Sequence, residues 1–171
     1  YIDGQPTGSP QPLTAGSAQY VASGLSFGTY TVKAKYLGET LYLPSEKSLL
    51  DPLRVMHPAT ITVTASSVTP VYGEPVTFDA TVAPVPPATG TLNGAVTFKA
   101  GGVTITDCAD IGLDVSRSAH CTTRALAPGT QSITADFSGG GDFIYATSVA
   151  KTVEVAKAPT SVAVSSSHNP A

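Results

Sequence analysis

The chain has 171 residues, of which 42% are hydrophobic and only 12% are charged, and its net charge is −3. This is enough apolar material for one buried core, but the sequence has no basic cluster that could neutralise phosphates. Nucleic acid and anionic membrane surfaces are therefore excluded as expected partners, and no apolar run is long enough to predict a membrane span.

Apolar and polar residues alternate with a period of two along most of the chain, which is typical of strands with one buried face. Turns rich in Gly and Pro separate these strands, and no window of twelve residues has a helical stripe. Short strands at this spacing predict an all-β, immunoglobulin-like antiparallel β-sandwich. In chain order, the main predicted strands and hairpins cover residues 13–21, 30–36, 48–55, 60–65, 76–82, 111–115, 119–123, 132–137 and 153–155.

The sequence also repeats itself with a period of about 100 residues, which is the size of one Ig-type sandwich. Three pairs of segments match: residues 25–36 with 126–137 at an offset of 101, 38–45 with 141–148 at 103, and 60–70 with 160–170 at 100.

This period predicts three parts in a tandem array. Residues 57–158 form a complete repeat, residues 1–56 are the C-terminal part of a preceding repeat, and residues 159–171 are the first strand of the next. Tyr1 then corresponds to about Phe98, so residues 1–56 lack three strands and expose one apolar face. Two explanations fit: a longer continuous chain, or strands donated between copies.

The stretches GEPVTFDATV (residues 73–82), GAVTFKAGG (94–102) and LAPGTQSITADFSGGGDFIYATS (126–148) resemble the bacterial Ig-like repeats of long surface and secreted proteins. The resemblance covers essentially the whole chain. It implies a seven-stranded sandwich, tandem arrays and cell-surface display, and it implies no catalytic residues. The chain departs from the family pattern in a longer loop at residues 84–94 and in the absence of cysteines from the first repeat.

Cys108 and Cys121 are the only cysteines, and we predict that they form a disulfide across a hairpin. The alternative is a metal site with His120 as a third ligand. Adjacent strand residues point to opposite faces, so His120 and Cys121 cannot easily bind the same ion. Tyr20 occupies the position of Cys121 in the first repeat, so the fold does not require the bridge.

Other candidate sites are weaker. Acidic residues at Asp107, Asp110, Asp114 and Asp142 are weak candidates for a calcium site, against an interpretation as a solvated acidic surface. Gly24 to Gly28 matches the G-x-S-x-G pattern around a nucleophilic serine, but the following residues alternate as a strand, whereas the nucleophile elbow needs a helix.

Further motifs are also expected to be structural. His57, His120 and His168 do not form a metal-binding motif, and we expect no metal and no cofactor. Lys99 and Lys151 raise the question of an isopeptide bond, but the asparagines, Asn93 and Asn169, lie in loop-like settings. Tyr36, Tyr42, Phe137, Phe143 and Tyr145 could stack on a sugar, although core packing is favoured because most of them alternate or match between repeats.

These observations predict a non-enzymatic spacer module of a long extracellular protein, such as a stalk, filament or sheath, that is displayed on the cell surface or secreted. Its expected partners are neighbouring Ig-like repeats or copies of the same protein. Two alternatives remain: an adhesion module that binds a receptor or glycan through end loops, above all residues 83–94, and an accessory module beside a catalytic domain outside this segment.

Overall fold

The computed structural model describes residues 1–167, which fold into strands and loops and contain no helix long and apolar enough to cross a membrane. The chain divides into two compact units, the first covering Tyr1–His57 and the second starting at Pro58. The strands of the first unit are β1 (Gly28–Tyr30), β2 (Lys33–Tyr36), β3 (Ser45–Ser48) and β4 (Leu53–Val55). Those of the second are β5 (Ala59–Ala65), β6 (Val76–Pro84), β7 (Ala95–Ala100), β8 (Val103–Thr104), β9 (Ile111–Gly112), β10 (Ser118–Thr123), β11 (Gly129–Phe137), β12 (Ala146–Thr147) and β13 (Lys151–Val155).

The second unit is an antiparallel sandwich of two sheets, as the alternation predicted. One sheet has the strand order β10-β6-β5, and the other is built on β11, which pairs with β7 on one side and with β12 and β13 on the other. The chain changes sheets after β5, because residues 68–72 run parallel to β13 and hydrogen-bond to it. Strand β5 therefore ends where the chain leaves the first sheet for the second.

Apolar side chains from both sheets fill the space between them. The alternation in the sequence predicts six core residues, and the prediction is confirmed because all six are fully buried: Phe78, Val96, Phe98, Ile133, Phe137 and Val153. Their polar neighbours, such as Thr77 and Thr81, face solvent on the outer side of β6. The two faces were therefore assigned correctly from sequence.

One predicted hairpin is wrong. Residues 111–115 and 119–123 were expected to pair with each other, but β9 pairs with β7 and β10 pairs with β6. The segment between β7 and β10 thus crosses from one sheet to the other. A period of two looks the same whichever strand is the partner, so the sequence pattern could not distinguish these pairings.

The first unit contains two separate two-stranded sheets, β1–β4 and β2–β3, and none of its residues is buried. Large apolar side chains stay accessible, including Leu41, Leu43 and Leu50, each more than four-fifths exposed. A two-stranded sheet has no second layer on which to bury its apolar face, and it is marginally stable at best in water.

The two units use the same strand register. Lys35 pairs with Glu46 and Tyr36 with Ser45 in the first unit; Asp136 pairs with Thr147 and Phe137 with Ala146 in the second. Each pair lies 101 positions after its counterpart. Strand β4 likewise pairs with β1 as β13 pairs with the start of β11.

The shared register corrects the offset of 103 that was assigned to residues 38–45. Glu39 and Tyr42 close the turn after β2, and Gly140 and Phe143 close the turn after β11, again 101 positions apart. Tyr42 therefore matches Phe143. The offset of 103, which matched Tyr42 with Tyr145 because both are tyrosines, is wrong. At the start of the chain, the Asp3 N–H bonds to the Thr31 carbonyl as the Gly101 N–H bonds to the Ser132 carbonyl. Tyr1 is therefore equivalent to Lys99, one position from the predicted match.

The end of the described chain contains no strand. No strand follows β13 in residues 157–167, where Val162 and Val164 are about nine-tenths exposed. A first strand is defined by its bonds to a second strand, and residues 159–167 take part in no ladder of the described strands. His168, Asn169 and the end of the predicted strand at 159–171 lie outside the described residues.

Candidate functional site

The second unit carries a disulfide between Cys108 and Cys121, with a Cα–Cα distance of 5.6 Å. Cys121 lies on β10 of the three-stranded sheet, whereas the Cys108 carbonyl accepts a hydrogen bond from Phe98 on β7 of the other sheet. The bridge thus ties the two sheets together through the core, where Cys108 is fully buried. A loop of this length predicts a stabilisation on the order of 3 kcal/mol.

His120 stands on the outer face of the same strand, between two carboxylates. Its Nδ1 lies 2.5 Å from Asp79 Oδ1 on β6, directly across the ladder, and its Nε2 lies 3.3 Å from Asp114 Oδ2. Hydrogen bonds to Asp79 and then to Asp114 raise the pKa of His120. The side chain is more than half exposed, so this trio acts as a surface charge cluster that joins β10, β6 and the preceding turn.

Asp114 has a structural task in that turn. Its Oδ1 accepts hydrogen bonds from the backbone N–H groups of Ser116 and Ser118, at 2.8 and 2.9 Å. The bond from Ser118 is the largest of the contributions that lower the pKa of Asp114. The contact between His120 and Asp79 could not be predicted from the sequence, because only the pairing of β6 with β10 brings these two residues together.

A second charged pair joins β7 and β11. Lys99 Nζ lies 2.6 Å from Asp136 Oδ2, and the Asp136 side chain is only 11% exposed. Burial opposes ionisation of Asp136, but hydrogen bonds from Lys99 and Thr147 outweigh it and lower the pKa of that carboxyl. The hydrogen bond to Asp136 raises the pKa of Lys99. Lys99 is thus engaged in an ion pair across two strands.

The four weak calcium candidates do not come together. Asp107 and Asp110 flank Cys108, Asp114 holds its own turn and His120, and Asp142 Oδ2 accepts a bond of 3.3 Å from the Thr91 N–H at another loop. Within residues 1–167, no three His, Cys, Asp or Glu side chains form a group that could hold a metal ion. Asp142 thus lies in the turn after β11, and that turn packs on a different loop from the one that carries Asp107 and Asp110.

The contact between Asp142 and Thr91 belongs to a formed surface at one end of the sandwich. We call it the end-loop surface: residues 84–94 together with residues 139–142. Gly140 and Gly141 approach the backbone at Asn93 and Thr91 so closely that an added Cβ would collide with it. Both glycines have a positive φ, which other residues rarely adopt. The long loop is therefore held against the turn after β11.

Two other sequence motifs have plain structural roles. Ser26 lies just before β1, and its carbonyl accepts a hydrogen bond of 2.8 Å from the Tyr30 hydroxyl. Strands β1 and β2 follow it, where a nucleophile elbow needs a helix. Of the aromatic residues, Phe137 and Phe143 are buried in the core, whereas Tyr42 and Tyr145 are 65% and 56% exposed. The expectation of core packing is thus wrong for those two tyrosines.

A family model for the bacterial Ig-like domain (group 3) matches residues 62–156, more than half of the chain. The chain belongs to this family. The match lies wholly within the second unit and runs from β5 to the end of β13, so it covers the sandwich, the disulfide and both charged clusters.

Among solved structures, the fibronectin(III)-like modules of Clostridium thermocellum CbhA give a TM-score of 0.45 at 19% sequence identity. The similarity covers 80% of this chain and 66% of that chain, so this chain spans slightly less than two thirds of its length. No curated protein matches the sequence at a significant level.

Proposed function

We propose that the chain is a non-catalytic spacer module of a long extracellular repeat protein, such as a stalk, filament or sheath. In this proposal residues 57–158 are one complete Ig-like repeat, residues 1–56 the C-terminal part of the preceding repeat, and residues 159–171 the first strand of the next. Only Met56 to Pro58 separate β4 from β5, a connection typical of repeats strung closely along one chain.

The observation that carries the proposal is the common register of the two units. The pair β2–β3 and the turn between these strands recur 101 positions later with the same partners. Strand β4 also pairs with β1 as β13 pairs with the start of β11, at offsets of 100 and 101. The first unit also has no buried residue, which is what the back half of a sandwich looks like without its front half. Ig-like domains are typically non-catalytic, in keeping with a mechanical role.

The extracellular setting rests on the disulfide. Disulfides persist in oxidising compartments and are rare in a reducing cytosol. Cys108 and Cys121 are bridged within the core, and the structure describes no free cysteine. A surface or secreted location also suits a sequence whose exposed strands are rich in Thr and Ser and poor in charge.

The decisive experiment completes the first unit. Residues 58–98, which supply β5, β6 and most of β7, are fused in front of Tyr1, because Tyr1 occupies the register of Lys99. If residues 1–56 are the back part of a repeat, the amides of β2 should become protected from hydrogen exchange and a second cooperative unfolding transition should appear.

The matched control adds one residue at the same junction. A shift of one residue turns every apolar side chain of a strand to the wrong face, so this variant should leave β2 unprotected. If β2 exchanges equally fast in both fusions, the assignment of residues 1–56 to a repeat is wrong, and the spacer proposal loses its main support.

The end-loop surface favours one second candidate, an adhesion module that recognises a glycan or a surface receptor. Binding loops are commonly held on a rigid sandwich, and here residues 84–94 are fixed against the turn at 139–142. A glycan array and a cell-binding assay with the whole chain separate the two functions. Binding that is lost when Gly141→Val disturbs the contact with Thr91 would favour adhesion; a spacer should bind nothing in either assay.

A further inference from the structure

Strand β5 is a long edge of the second unit that lacks the usual protection. It lies at the end of its sheet and pairs over its whole length with β6 alone. Every second residue of such a strand directs its N–H and C=O groups away from its neighbour. The seven residues, ATITVTA, contain no charge, no Gly and no Pro, although natural proteins commonly use charges, prolines or bulges to block edge pairing.

The other edges of this unit are protected in ordinary ways. Strands β8, β9 and β12 have only two residues each, and β13 is flanked by the parallel segment at residues 68–72. Strand β10, the opposite edge of the β5 sheet, carries the His120 charge cluster and is tied to the other sheet by the disulfide. The lack of protection is therefore specific to β5.

The sequence of β5 indicates that a second copy of the strand can pair with it, because the sequence reads almost the same in both directions. Around Thr62 as the centre, Ala59 matches Ala65, Thr60 matches Thr64, and Ile61 matches Val63. An antiparallel copy of the strand, related by a two-fold axis at Thr62, would place Thr against Thr on the outer face and Ile against Val on the inner face. Such cross-strand pairs stabilise sheets.

The surroundings of β5 also suit a second copy. A groove of about 260 Å³ lies beside the strand, lined by Ile61, Thr62, Val63, Val149, Ala150 and Lys151. Val149 is 89% exposed there, and Lys151 is the one charged residue of the lining. Since β5 has a single free edge, the pairing closes after two chains and cannot continue into a fibre.

We infer that two copies of this chain associate through β5, forming a continuous six-stranded sheet with Thr62 opposite Thr62 of the second copy. The contact surface is one strand wide, which places it among weak, reversible interfaces. In a long repeat protein, such pairing would join neighbouring chains side by side. The inference concerns this surface alone and does not depend on the spacer role.

The first test measures the molar mass of the whole chain by light scattering or sedimentation over a rising concentration series. The wild type should pass from the mass of one chain to that of two. Thr62→Lys places like charges opposite each other at the centre and should remain monomeric throughout. Thr122→Lys makes the same change on the exposed face of β10 and should associate like the wild type.

The second test reads the register. Residues opposite each other in an antiparallel pair have Cβ atoms about 5 Å apart, within reach of a disulfide. Thr62→Cys should therefore cross-link with itself under mild oxidation. Thr60→Cys alone should not, but a mixture of Thr60→Cys and Thr64→Cys should. Thr122→Cys is the control for random collision.

Several outcomes would overturn the inference: a wild type that stays monomeric at every concentration, a Thr62→Lys variant that still dimerises, or Thr62→Cys that cross-links no faster than Thr122→Cys. A dimer that persists in Thr62→Lys would point instead to the exposed apolar residues of the first unit. None of these results bears on the fusion experiment, so the two proposals can fail separately.

Discussion

Residues 1–57 and the second unit show what strand pairing can and cannot do by itself. The strand pairs of the first unit, β1–β4 and β2–β3, recur in the second unit, yet the second buries a full core and the first buries no residue. Strand β11 runs unbroken for nine residues, whereas its counterpart is split into β1 and β2, of three and four residues. Local hydrogen bonding sets the register, and the second layer of the sandwich makes the strand continuous and stable.

The sharpest test of this contrast removes the same ring from both units. Phe137 and Tyr36 occupy equivalent positions, opposite Ala146 and Ser45. Phe137→Ala should cost about 3–5 kcal/mol of unfolding free energy because it leaves a cavity in a closed core. Tyr36→Ala should change the unfolding free energy measured in the same transition by less than about 1 kcal/mol. Denaturant unfolding followed by circular dichroism gives both values, and equal losses would contradict the contrast.

The disulfide gives the next largest difference. In the first unit, Tyr20 lies where Cys121 would be, and its ring covers Gly8, 100 positions before Cys108. An aromatic ring packed on a glycine thus takes the place of the covalent link. We expect the Cys108→Ala/Cys121→Ala double variant to unfold with about 3 kcal/mol less free energy, since the loop is no longer closed in the unfolded chain.

Reductant should reproduce that loss in the wild type and have no effect on the double variant. Denaturation midpoints with and without reductant make the comparison. Tyr20→Ala should leave the unfolding of the second unit unchanged. A double variant as stable as the wild type would mean that the two sheets are held together by packing alone.

The charged pairs differ in the same way, by burial. Lys33 and Glu46 in the first unit form an ion pair at 3.1 Å with both side chains at least 40% exposed, whereas Asp136 is nearly enclosed beside Lys99. Exposed pairs contribute little. The pKa of Asp136 is lowered in the folded state. The stabilisation of the fold by the ionised carboxylate is therefore present above the ordinary pKa of 3.8 and is lost as the pH falls through the folded-state pKa.

Asp136→Asn should therefore remove part of the loss of stability in acid, and Glu46→Gln should not. The measurement is the denaturation midpoint of each variant over a pH series from neutral to about pH 3. On the alkaline side, the pKa of Lys99 is raised, so the stabilisation from the pair should persist until the pH rises through that value. Identical acid profiles for wild type and Asp136→Asn would show that the pair does not contribute.

Much of the second unit could be predicted from sequence because its strands alternate so regularly. Thr and apolar residues identified β5, β6 and β11, and the core residues followed from the same alternation. What the pattern could not provide was the partner of each strand. The pairing of β9 with β7, the crossing of the disulfide between sheets and the meeting of Asp79 with His120 all depend on register between distant segments. The incorrect match of Tyr42 with Tyr145 has the same origin, because the hydrogen bonds of the turn, and not residue identity, determine which positions are equivalent.

The smallest expected effect concerns His120, and it also depends on a strand that the first unit lacks. Gln19 precedes Tyr20 as His120 precedes Cys121, but the first unit has no counterpart of β6 to supply an Asp79. The pKa of His120 is raised in the folded state. Its small contribution to the stability of the fold is therefore complete below the ordinary pKa of about 6.5 and is lost as the pH rises through the raised pKa.

Ring resonances of His120 in an NMR titration should show a midpoint above that ordinary pKa. Asp79→Asn should lower the midpoint more than Asp114→Asn, because Asp79 makes the larger contribution, and Asp142→Asn at the end-loop surface should leave it unchanged. A midpoint that ignores Asp79→Asn would mean that the two strands do not hold the ring against that carboxylate in solution.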